Sequence, residues 1–478
     1  MFLHQFFIEG LGHASYLIGS DESGEAAVVD PGLDLRPYQE LARERQLQIR
    51  YALETHLHND FVSGAAALAR RPGVEHVASA ESKLKTPDHP VREGDELRLG
   101  ELRIQVLFTP GHTPEHVTYV VIDTSRAEAP VLAFTGGDLL VGSVGRPDLL
   151  GKELGEKLAP LLYDSLHNKI LMLEDYVEVL PTHGAGSLCG RSISSKRTST
   201  IGYERRFNPA LQHQTEEDFV RFVLSGNPGI PTYYQRMRPR NQEGAGPWQR
   251  PEPIALPPAE VAHLSGHGAT VLDARPHVAF GGAHLRGAFS VGLDPMFATW
   301  VGWLVPNDAP LILVLDDERQ WDDAVTALAR IGYEKIAGYV QGGMAAWVED
   351  ARPVAHVPQW SVQELNQNLG QDNLVVLDVR TDAEWEDGHV AGAIHIPLGD
   401  LPDRLGELDA TRPTAVICGS GYRSSTGTSV LQRHDFPTVF NTLGGMTAWE
   451  AAKLPTTRDQ VTPAKPAMEV THASATAH

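Results

Sequence analysis

Two segments in the second half of the chain carry the same three landmarks in the same order. They are residues 271–275, 282–288 and 342–347 in the first segment, and 376–380, 388–393 and 444–449 in the second, about a hundred residues later. Ordered self-similarity of this kind indicates a duplicated domain. Each copy has apolar runs, such as 311–315 and 415–417, between helical stretches. This alternation predicts two α/β domains, each with a parallel sheet covered on both faces.

The remainder of the chain requires at least one more domain, because 478 residues are too many for one ordinary core. Residues 1–245 alternate short β-rich runs with helical segments, and the Gly- and Pro-rich stretch 241–258 has the composition of a linker. We therefore predict domains at 1–245, 255–350 and 357–456. The Pro-, Ala- and Thr-rich residues 457–478 are expected to be a disordered tail.

Composition narrows the possible partners and compartment. A formal charge of −21 disfavours a nucleic-acid partner, and no apolar run approaches the roughly 20 residues of a membrane helix. The first residues lack the basic and small-residue features of a signal peptide, so we expect a cytoplasmic protein. Separately, we expect the protein to be a homo-oligomer. The two cysteines, Cys189 and Cys418, fall in different predicted domains, which argues against a disulfide framework.

Histidine and aspartate recur beside turns in the first domain. The candidates are His56, His58, Asp60, His112, Asp138 and His183. Separate clusters of this kind are typical of loops that converge on one metal at the end of a scaffold. The alternative is a set of unrelated turn histidines.

The order and character of these motifs resemble the metallo-β-lactamase superfamily, which implies an αββα sandwich. The family pattern is His-x-His-x-Asp-His, and Phe61 stands where the last histidine would complete a second metal site. The set His56, His112 and Asp138 then resembles the ligands of iron-dependent persulfide dioxygenases. A triad of two histidines and one carboxylate suits non-haem Fe(II), so one Fe²⁺ per chain is expected.

The same resemblance places His58, Asp60 and His183 around the ligands, where they would orient them and order water. Cys189, shortly after His183, is read as a small buried residue without chemistry; the alternative is a thiol near the iron.

A short basic stretch follows His183 in an otherwise acidic chain. It contains Arg191, Lys196, Arg197, Arg205 and Arg206, and residues 202–209 are similar to a stretch that borders the substrate site of persulfide dioxygenases. We predict that an anionic thiol carrier contacts Tyr203, Arg191, Arg205 and Arg206. A solvated basic loop is the alternative for each of them.

The loop from Cys418 to Arg423 directly follows the apolar run 415–417. Backbone N–H groups of a loop formed by Gly419, Ser420, Gly421 and Tyr422, a helix start and the Arg423 charge can together stabilise an anionic persulfide sulfur. The alternative is a buried structural cysteine that ends a strand.

This loop is similar to the rhodanese active-site motif Cys-x-x-Gly-x-Arg, and the other landmarks of the second copy match that family. Its six residues fit the sulfur-transferring class, whose phosphatase relatives have one residue more. Cys418 and Arg423 are thus the expected catalytic residues. The first copy has Asp316-Asp317-Glu318-Arg319 at the corresponding position, so we expect a rhodanese-like domain without catalysis.

The combined resemblance is to persulfide dioxygenase–rhodanese fusions. It implies oxidation of a thiol persulfide by O₂ to sulfite in the first domain, and sulfur transfer through Cys418 that forms or consumes thiosulfate. Two alternatives remain at this stage. One is a zinc-dependent thioester hydrolase of the glyoxalase II type, and the other is a sulfide-responsive binding protein with a vestigial metal pocket.

Overall fold

The computed structural model describes residues 1–85, 89–371 and 373–458. The described residues divide into two compact units: residues 1–276 with 291–352, and residues 277–290 with 353–458. Most of the predicted tail lies outside the described residues. Its first residue, Thr457, was expected to be disordered but exchanges two backbone hydrogen bonds with His389, of 2.9 and 3.0 Å.

The first 245 residues form two six-stranded sheets with six helices. The strands are β1 (Phe2–Ile8), β2 (His13–Gly19), β3 (Glu25–Val29), β4 (Gln48–Leu53), β5 (Glu75–Ser79), β6 (His89–Val91), β7 (Glu96–Leu99), β8 (Leu102–Phe108), β9 (Val117–Asp123), β10 (Pro130–Gly136), β11 (Leu139–Leu140), β12 (Ser143–Val144), β13 (Glu178–Pro181) and β14 (Ser199–Thr200). The helices are α1 (Arg36–Glu44), α2 (Ala65–Ala69), α3 (Lys152–Asn168), α4 (Ile201–Phe207), α5 (Glu216–Val223) and α6 (Tyr234–Glu243). The sheet orders are β1-β2-β3-β4-β5-β6 and β14-β13-β10-β9-β8-β7, with β11 and β12 as a separate pair.

Residue patterning explains the layers. In β8 the side chains of Leu102, Ile104 and Val106 are buried and alternate with partly exposed ones. These three pack with residues of the other sheet in one apolar cluster. In β9 every residue is buried, since Tyr119 belongs to that cluster and Val120 to a second cluster that includes α3 and α5 residues. Helices α1 and α2 cover the outer face of the first sheet. The result is the predicted αββα sandwich.

The described part of the duplicated region has two five-stranded sheets and one two-stranded sheet. Its first copy contains β15 (Ala255–Leu256), α7 (Pro258–Gly266), β16 (Thr270–Asp273), α8 (His277–Gly282), β17 (His284–Leu285), β18 (Phe289–Ser290), α9 (Phe297–Leu304), β19 (Leu311–Val314), α10 (Trp321–Arg330), β20 (Ile336–Val340), α11 (Gly343–Glu349) and β21 (Val354–Ala355). The second contains β22 (Gln359–Trp360), α12 (Val362–Asn368), β23 (Val375–Asp378), α13 (Asp382–Asp387), β24 (Ile394–His395), α14 (Leu401–Arg404), β25 (Thr414–Ile417), α15 (Tyr422–Arg433), β26 (Val439–Thr442) and α16 (Gly445–Ala451).

Both copies have the predicted parallel sheets. Strands β15, β20, β19 and β16 pair in parallel in the first unit. In the second unit the order is β22-β26-β25-β23-β24, and all pairs are parallel. The predicted fold class is confirmed. In the part of the chain that the structure describes, no helix is long and apolar enough to cross a membrane.

The expected linker begins inside a helix, which corrects part of that prediction. Asn241 lies in α6 and is 3% exposed. Its amide Nδ2 donates to the carbonyls of His58 (2.9 Å) and Phe61 (2.8 Å), and its Oδ1 accepts the N–H of Ser63 (2.9 Å). Asn241 therefore belongs to the core around residues 58–63, because these contacts satisfy backbone groups that composition does not reveal.

Candidate metal centre and sulfur-transfer loop

Four strand ends supply the predicted metal-site residues. His56 follows β4, His112 follows β8, Asp138 follows β10 and His183 follows β13. All four side chains are 3% exposed or less. The two packed sheets thus bring residues 127 positions apart in sequence, His56 and His183, to a direct contact of 3.2 Å between their Nε2 atoms.

Neighbouring groups fix the tautomer of His56. Thr55 Oγ1 donates to Asp30 Oδ2 (2.8 Å), so its lone pair accepts Nδ1–H of His56 (2.9 Å). The Nε2 lone pair of His56 is left facing the interior. Burial, followed by the neighbouring histidines, lowers the pKa of His56 well below its ordinary value. The ring is therefore neutral, as a metal ligand must be.

His112 is held in the same way. Its Nδ1–H donates to the carbonyl of Arg146 (2.9 Å), which leaves Nε2 as an acceptor. That Nε2 is buried and has no hydrogen-bond partner among the described residues. Burial also lowers the pKa of His112 well below its ordinary value. A buried, unprotonated and unpartnered nitrogen is costly unless it binds a cation, so the residues present fit a metal ion.

Among the described residues, two sets of three side chains could hold a metal ion, and within each set the ligand atoms lie within 4.8 Å of one another. One comprises His56, His58 and His183, and the other His112, His183 and Cys189. His183 is common to both, and its Nδ1 lies 3.2 Å from Asp60 Oδ2. The residues expected to surround the metal are therefore brought together with His56 and His112, and His183, which we expected outside the ligand set, lies among the candidate ligands.

Asp138 is placed differently from the other expected ligands. Its Oδ1 accepts the backbone N–H of His112 (3.0 Å) and its Oδ2 lies 3.2 Å from His116 Nδ1. Within the described residues its carboxylate is in neither group of close ligand atoms. Burial raises the pKa of this carboxyl well above its ordinary value. The assignment of Asp138 as a metal ligand stays a prediction.

Cys189 lies inside the candidate metal centre and not merely near it in sequence. Its Sγ lies within 4.8 Å of ring nitrogens of His112 and His183, and 3.8 Å from the hydroxyl of Tyr234. Burial raises the pKa of this thiol well above its ordinary value. The geometry favours a thiol that faces the metal ligands over an inert packing residue.

Phe61 occupies the position where a second site would need a histidine. Its ring stacks on His58, with centroids 4.3 Å apart, and on His13, with centroids 3.6 Å apart. It is buried and offers no ligand atom. The stacked ring therefore disfavours a second ion beside His58.

Two functional residues were missed at the sequence level. Asp30 accepts hydrogen bonds from Thr55 and Thr182 and lies 3.2 Å from His58 Nε2, so it orients the histidines from behind. His116 accepts the N–H of Gly137 at Nε2 (2.9 Å). The signals were a carboxylate that directly follows a buried apolar strand and a second histidine four residues after His112.

The candidate carrier-binding residues lie in local contacts. Arg205 pairs with Asp175, Arg191 stacks over Phe222 and donates to the Ser225 carbonyl (3.2 Å), and Tyr203 is 51% exposed. Arg206 is exposed. Their contact with substrate stays a prediction.

The Cys418 loop has the expected local geometry. The N–H of Gly421 donates to Cys418 Sγ (3.1 Å), and Ser424 Oγ lies 3.3 Å from it. Arg423 forms a bidentate pair with Glu384, of 2.7 and 2.6 Å, so its charge is shared. Burial alone would raise the pKa of Glu384, but the hydrogen bonds and charge of Arg423 hold it at about 2. Ser420 is exposed at the loop's mouth, next to half-buried Gly419 and Tyr422.

The corresponding loop of the first copy offers no sulfur nucleophile. Asp317 pairs with Arg319 and caps a short 3₁₀ turn at Glu318–Gln320. The loop is therefore built as a local acidic turn.

Comparison with known proteins agrees with this architecture. Residues 8–126 match the model of the metallo-β-lactamase superfamily, and residues 257–350 and 361–452 each match that of the rhodanese-like domain. Human mitochondrial persulfide dioxygenase ETHE1 is 34% identical over 219 residues, which cover 45% of this chain and 77% of that protein. The chain is a metallo-β-lactamase superfamily protein fused to two rhodanese-like domains. Its N-terminal part is homologous to persulfide dioxygenases, as the sequence motifs predicted.

One solved structure and one further relative are also similar to this chain. A metallo-β-lactamase structure from Staphylococcus aureus subsp. aureus COL has 33% identity and a TM-score of 0.65, and covers 71% of this chain and 99% of that one. Hydroxyacylglutathione hydrolase 2 of Vibrio vulnificus is 32% identical and covers 43% of this chain and 72% of that protein. The similarity to the Staphylococcus aureus structure, which covers 71% of this chain, therefore extends well beyond the metal domain.

Proposed function

We propose that the chain oxidises a low-molecular-weight thiol persulfide with O₂ to sulfite at one iron, and transfers sulfane sulfur through Cys418. Homology of the N-terminal part to persulfide dioxygenases and the two rhodanese-like domains support both activities. The alternative activity, zinc-dependent thioester hydrolysis, has a relative in hydroxyacylglutathione hydrolase. It is disfavoured because Phe61 fills the second-metal position.

The observation that carries the metal proposal is the contact between His56 and His183. Their Nε2 atoms are 3.2 Å apart in a fully buried site. Two nitrogens bound to one metal at about 2.0–2.1 Å each are separated by a similar distance in tetrahedral or octahedral geometry. The unpartnered Nε2 of His112 lies in the group that shares His183. We assign His56, His112 and His183 as the residues that would hold the metal.

In this assignment the main role of Asp138 is to position His112. Its Oδ1 accepts the His112 N–H, and its Oδ2, 3.2 Å from His116 Nδ1, has no hydrogen-bond partner among the described residues and is free to approach the metal. An iron ion, when bound, supplies activation of O₂ and a place where O₂ meets the persulfide sulfur. The chain's own residues keep the imidazoles of His56 and His112 neutral, fix the tautomers of these two rings through Thr55 and the Arg146 carbonyl, and exclude bulk water.

At the second site the Cys418 thiolate attacks the sulfane sulfur of thiosulfate. The new Sγ–S bond forms as the S–S bond of thiosulfate breaks, and sulfite leaves with the electron pair. The Gly421 N–H, 3.1 Å from Sγ, stabilises the sulfur anion. An acceptor thiolate then attacks the outer sulfur and regenerates the Cys418 thiolate. In reverse, sulfite from the iron site accepts the sulfur and becomes thiosulfate.

The test combines metal analysis with oxygen uptake. About one iron per chain and O₂ consumption with glutathione persulfide are expected. The matched variant is His112→Ala, which should lose both bound iron and O₂ uptake. A protein with two tightly bound zinc ions that hydrolyses a glutathione thioester without iron would instead support the hydrolase.

A further inference from the structure

A histidine from the first rhodanese-like copy borders the Cys418 loop. His277 begins helix α8 and lies in the matched range 257–350, yet residues 277–290 pack as part of the second unit. A Cβ built on Gly421 would be 3.4 Å from His277 Nε2. Gly421 is also the residue whose N–H donates to Cys418 Sγ. The imidazole therefore stands next to the atoms that surround the reactive sulfur.

Hydrogen bonds fix the segment that carries this histidine. Ser290 N–H donates to Ser429 Oγ (3.0 Å), and Ser290 Oγ lies 3.1 Å from Ser425 Oγ. His284 Nε2 lies 3.0 Å from Gln432 Oε1. All of these partners lie on helix α15, which begins at Tyr422, within the Cys418–Arg423 loop. The segment is thus anchored along the same helix that positions the loop.

The His277 ring has hydrogen-bonding capacity to spare. Among the described residues, neither of its ring nitrogens has a hydrogen-bond partner, and the side chain is half-buried. Burial lowers the pKa of His277, so near neutral pH the ring is uncharged and carries one N–H donor.

Thiosulfate, the sulfur donor, needs an N–H group that can bind its oxygens. Thiosulfate carries its charge on sulfonate oxygens, which stay on the leaving sulfite when Cys418 takes the sulfane sulfur. Arg423, the cation of the loop itself, has two of its nitrogens on Glu384, so its charge is largely compensated. A hydrogen bond to a charged acceptor is stronger than one between neutral groups, so its loss should weaken thiosulfate binding measurably.

We propose that His277 is a substrate-binding residue of the Cys418 site, whose ring N–H donates to a sulfonate oxygen of thiosulfate. This assignment rests on the proposed sulfur transfer at Cys418. It gives the first, cysteine-free copy a direct part in the chemistry of the second, because it supplies a side chain that recognises the oxyanion end of the donor. The S–S bond cleaved and the path of the electron pair are those already described for thiosulfate.

The test is steady-state sulfur transfer from thiosulfate to dithiothreitol by the full chain. His277→Phe should raise KM for thiosulfate by about 10- to 100-fold, with kcat changed less than threefold, because a charged hydrogen bond is lost. His277→Gln, which keeps an N–H donor, should stay within about fivefold of the wild type. His434→Gln is the matched control, since His434 is an exposed histidine at the opposite end of α15.

Separate outcomes overturn the inference and the proposed function. An unchanged KM in His277→Phe, or a loss confined to kcat, would refute the binding role of His277. If His277→Phe does not fold, a KM of His277→Ala equal to that of the wild type refutes it equally. A wild-type chain that forms no Cys418 persulfide from thiosulfate, judged by mass spectrometry, would remove the sulfur-transfer function and this inference with it.

Discussion

Replacing Asn241 by alanine tests whether helix α6 holds the metal-site loop, residues 58–63, closed against the helix. The change removes three hydrogen bonds, to the carbonyls of His58 and Phe61 and from the N–H of Ser63, at a side chain that is 3% exposed. Each buried hydrogen bond contributes about 1 kcal/mol net, so closure of the loop should weaken by about 3 kcal/mol. At about 1.4 kcal/mol per factor of ten, opening should become on the order of 100-fold more frequent.

Native-state hydrogen exchange measures this opening directly. The amides of Val62 and Gly64 donate to the carbonyls of Arg330 and Pro31, so their protection factors report whether the loop is closed. Both protection factors should fall on the order of 100-fold in Asn241→Ala. Metal release to a chelator should also become faster, because the loop carries His58 and follows His56.

The matched control is Glu243→Ala on the same helix. Glu243 is 62% exposed and pairs with Lys85, which is exposed as well, so its loss should cost less than about 1 kcal/mol. Unchanged exchange at Val62 and Gly64 in Asn241→Ala would refute the reasoning. It would show that other contacts close the loop without the Asn241 amide.

Three further predictions follow from the two sites. His183→Ala should lose most bound iron by elemental analysis whereas Asp138→Asn keeps most of it; the opposite order would restore Asp138 as a ligand. Cys418→Ser should abolish sulfur transfer but keep persulfide-dependent oxygen uptake, so chromatography should find sulfite where the intact chain accumulates thiosulfate; equal sulfite from both chains would show that the rhodanese uses an external donor. The Glu384–Arg423 pair stabilises the fold above the ordinary Glu pKa of 4.5, and this contribution is lost as pH falls toward the folded value of about 2; Glu384→Gln should therefore lower the melting temperature at pH 7 and lower it less at pH 3, and equal shifts would exclude an ionic contribution.

The sequence alone was sufficient where chemistry is local. The Cys418 loop is one contiguous stretch after an apolar strand, and the Gly421 N–H that faces Sγ is only three residues away. The two α/β copies could also be predicted from sequence, because the spacing of apolar residues shows the alternation of strands and helices. Phe61 also showed from sequence that a second metal site lacks a ligand, and its stacked ring supports this.

The direction of side chains at the metal site could not be read from spacing. Asp138 follows Gly137 at a strand end, and a change of one position along the chain turns a side chain toward a different neighbour. Its carboxylate reaches the His112 N–H and His116, and is not grouped with the imidazole nitrogens. Sequence likewise left open whether Cys189 faces the centre, since burial alone would suit either role.

Only the tertiary structure decided the long-range contacts. His56 meets His183 because two separate sheets pack face to face, and Asn241 reaches residues 58–63 although its surroundings have the composition of a linker. His277 reaches the Cys418 loop because residues 277–290 pack along α15 in the second unit. Such contacts arise from the docking of apolar faces, which fixes where polar groups meet but leaves no mark in the local sequence around them.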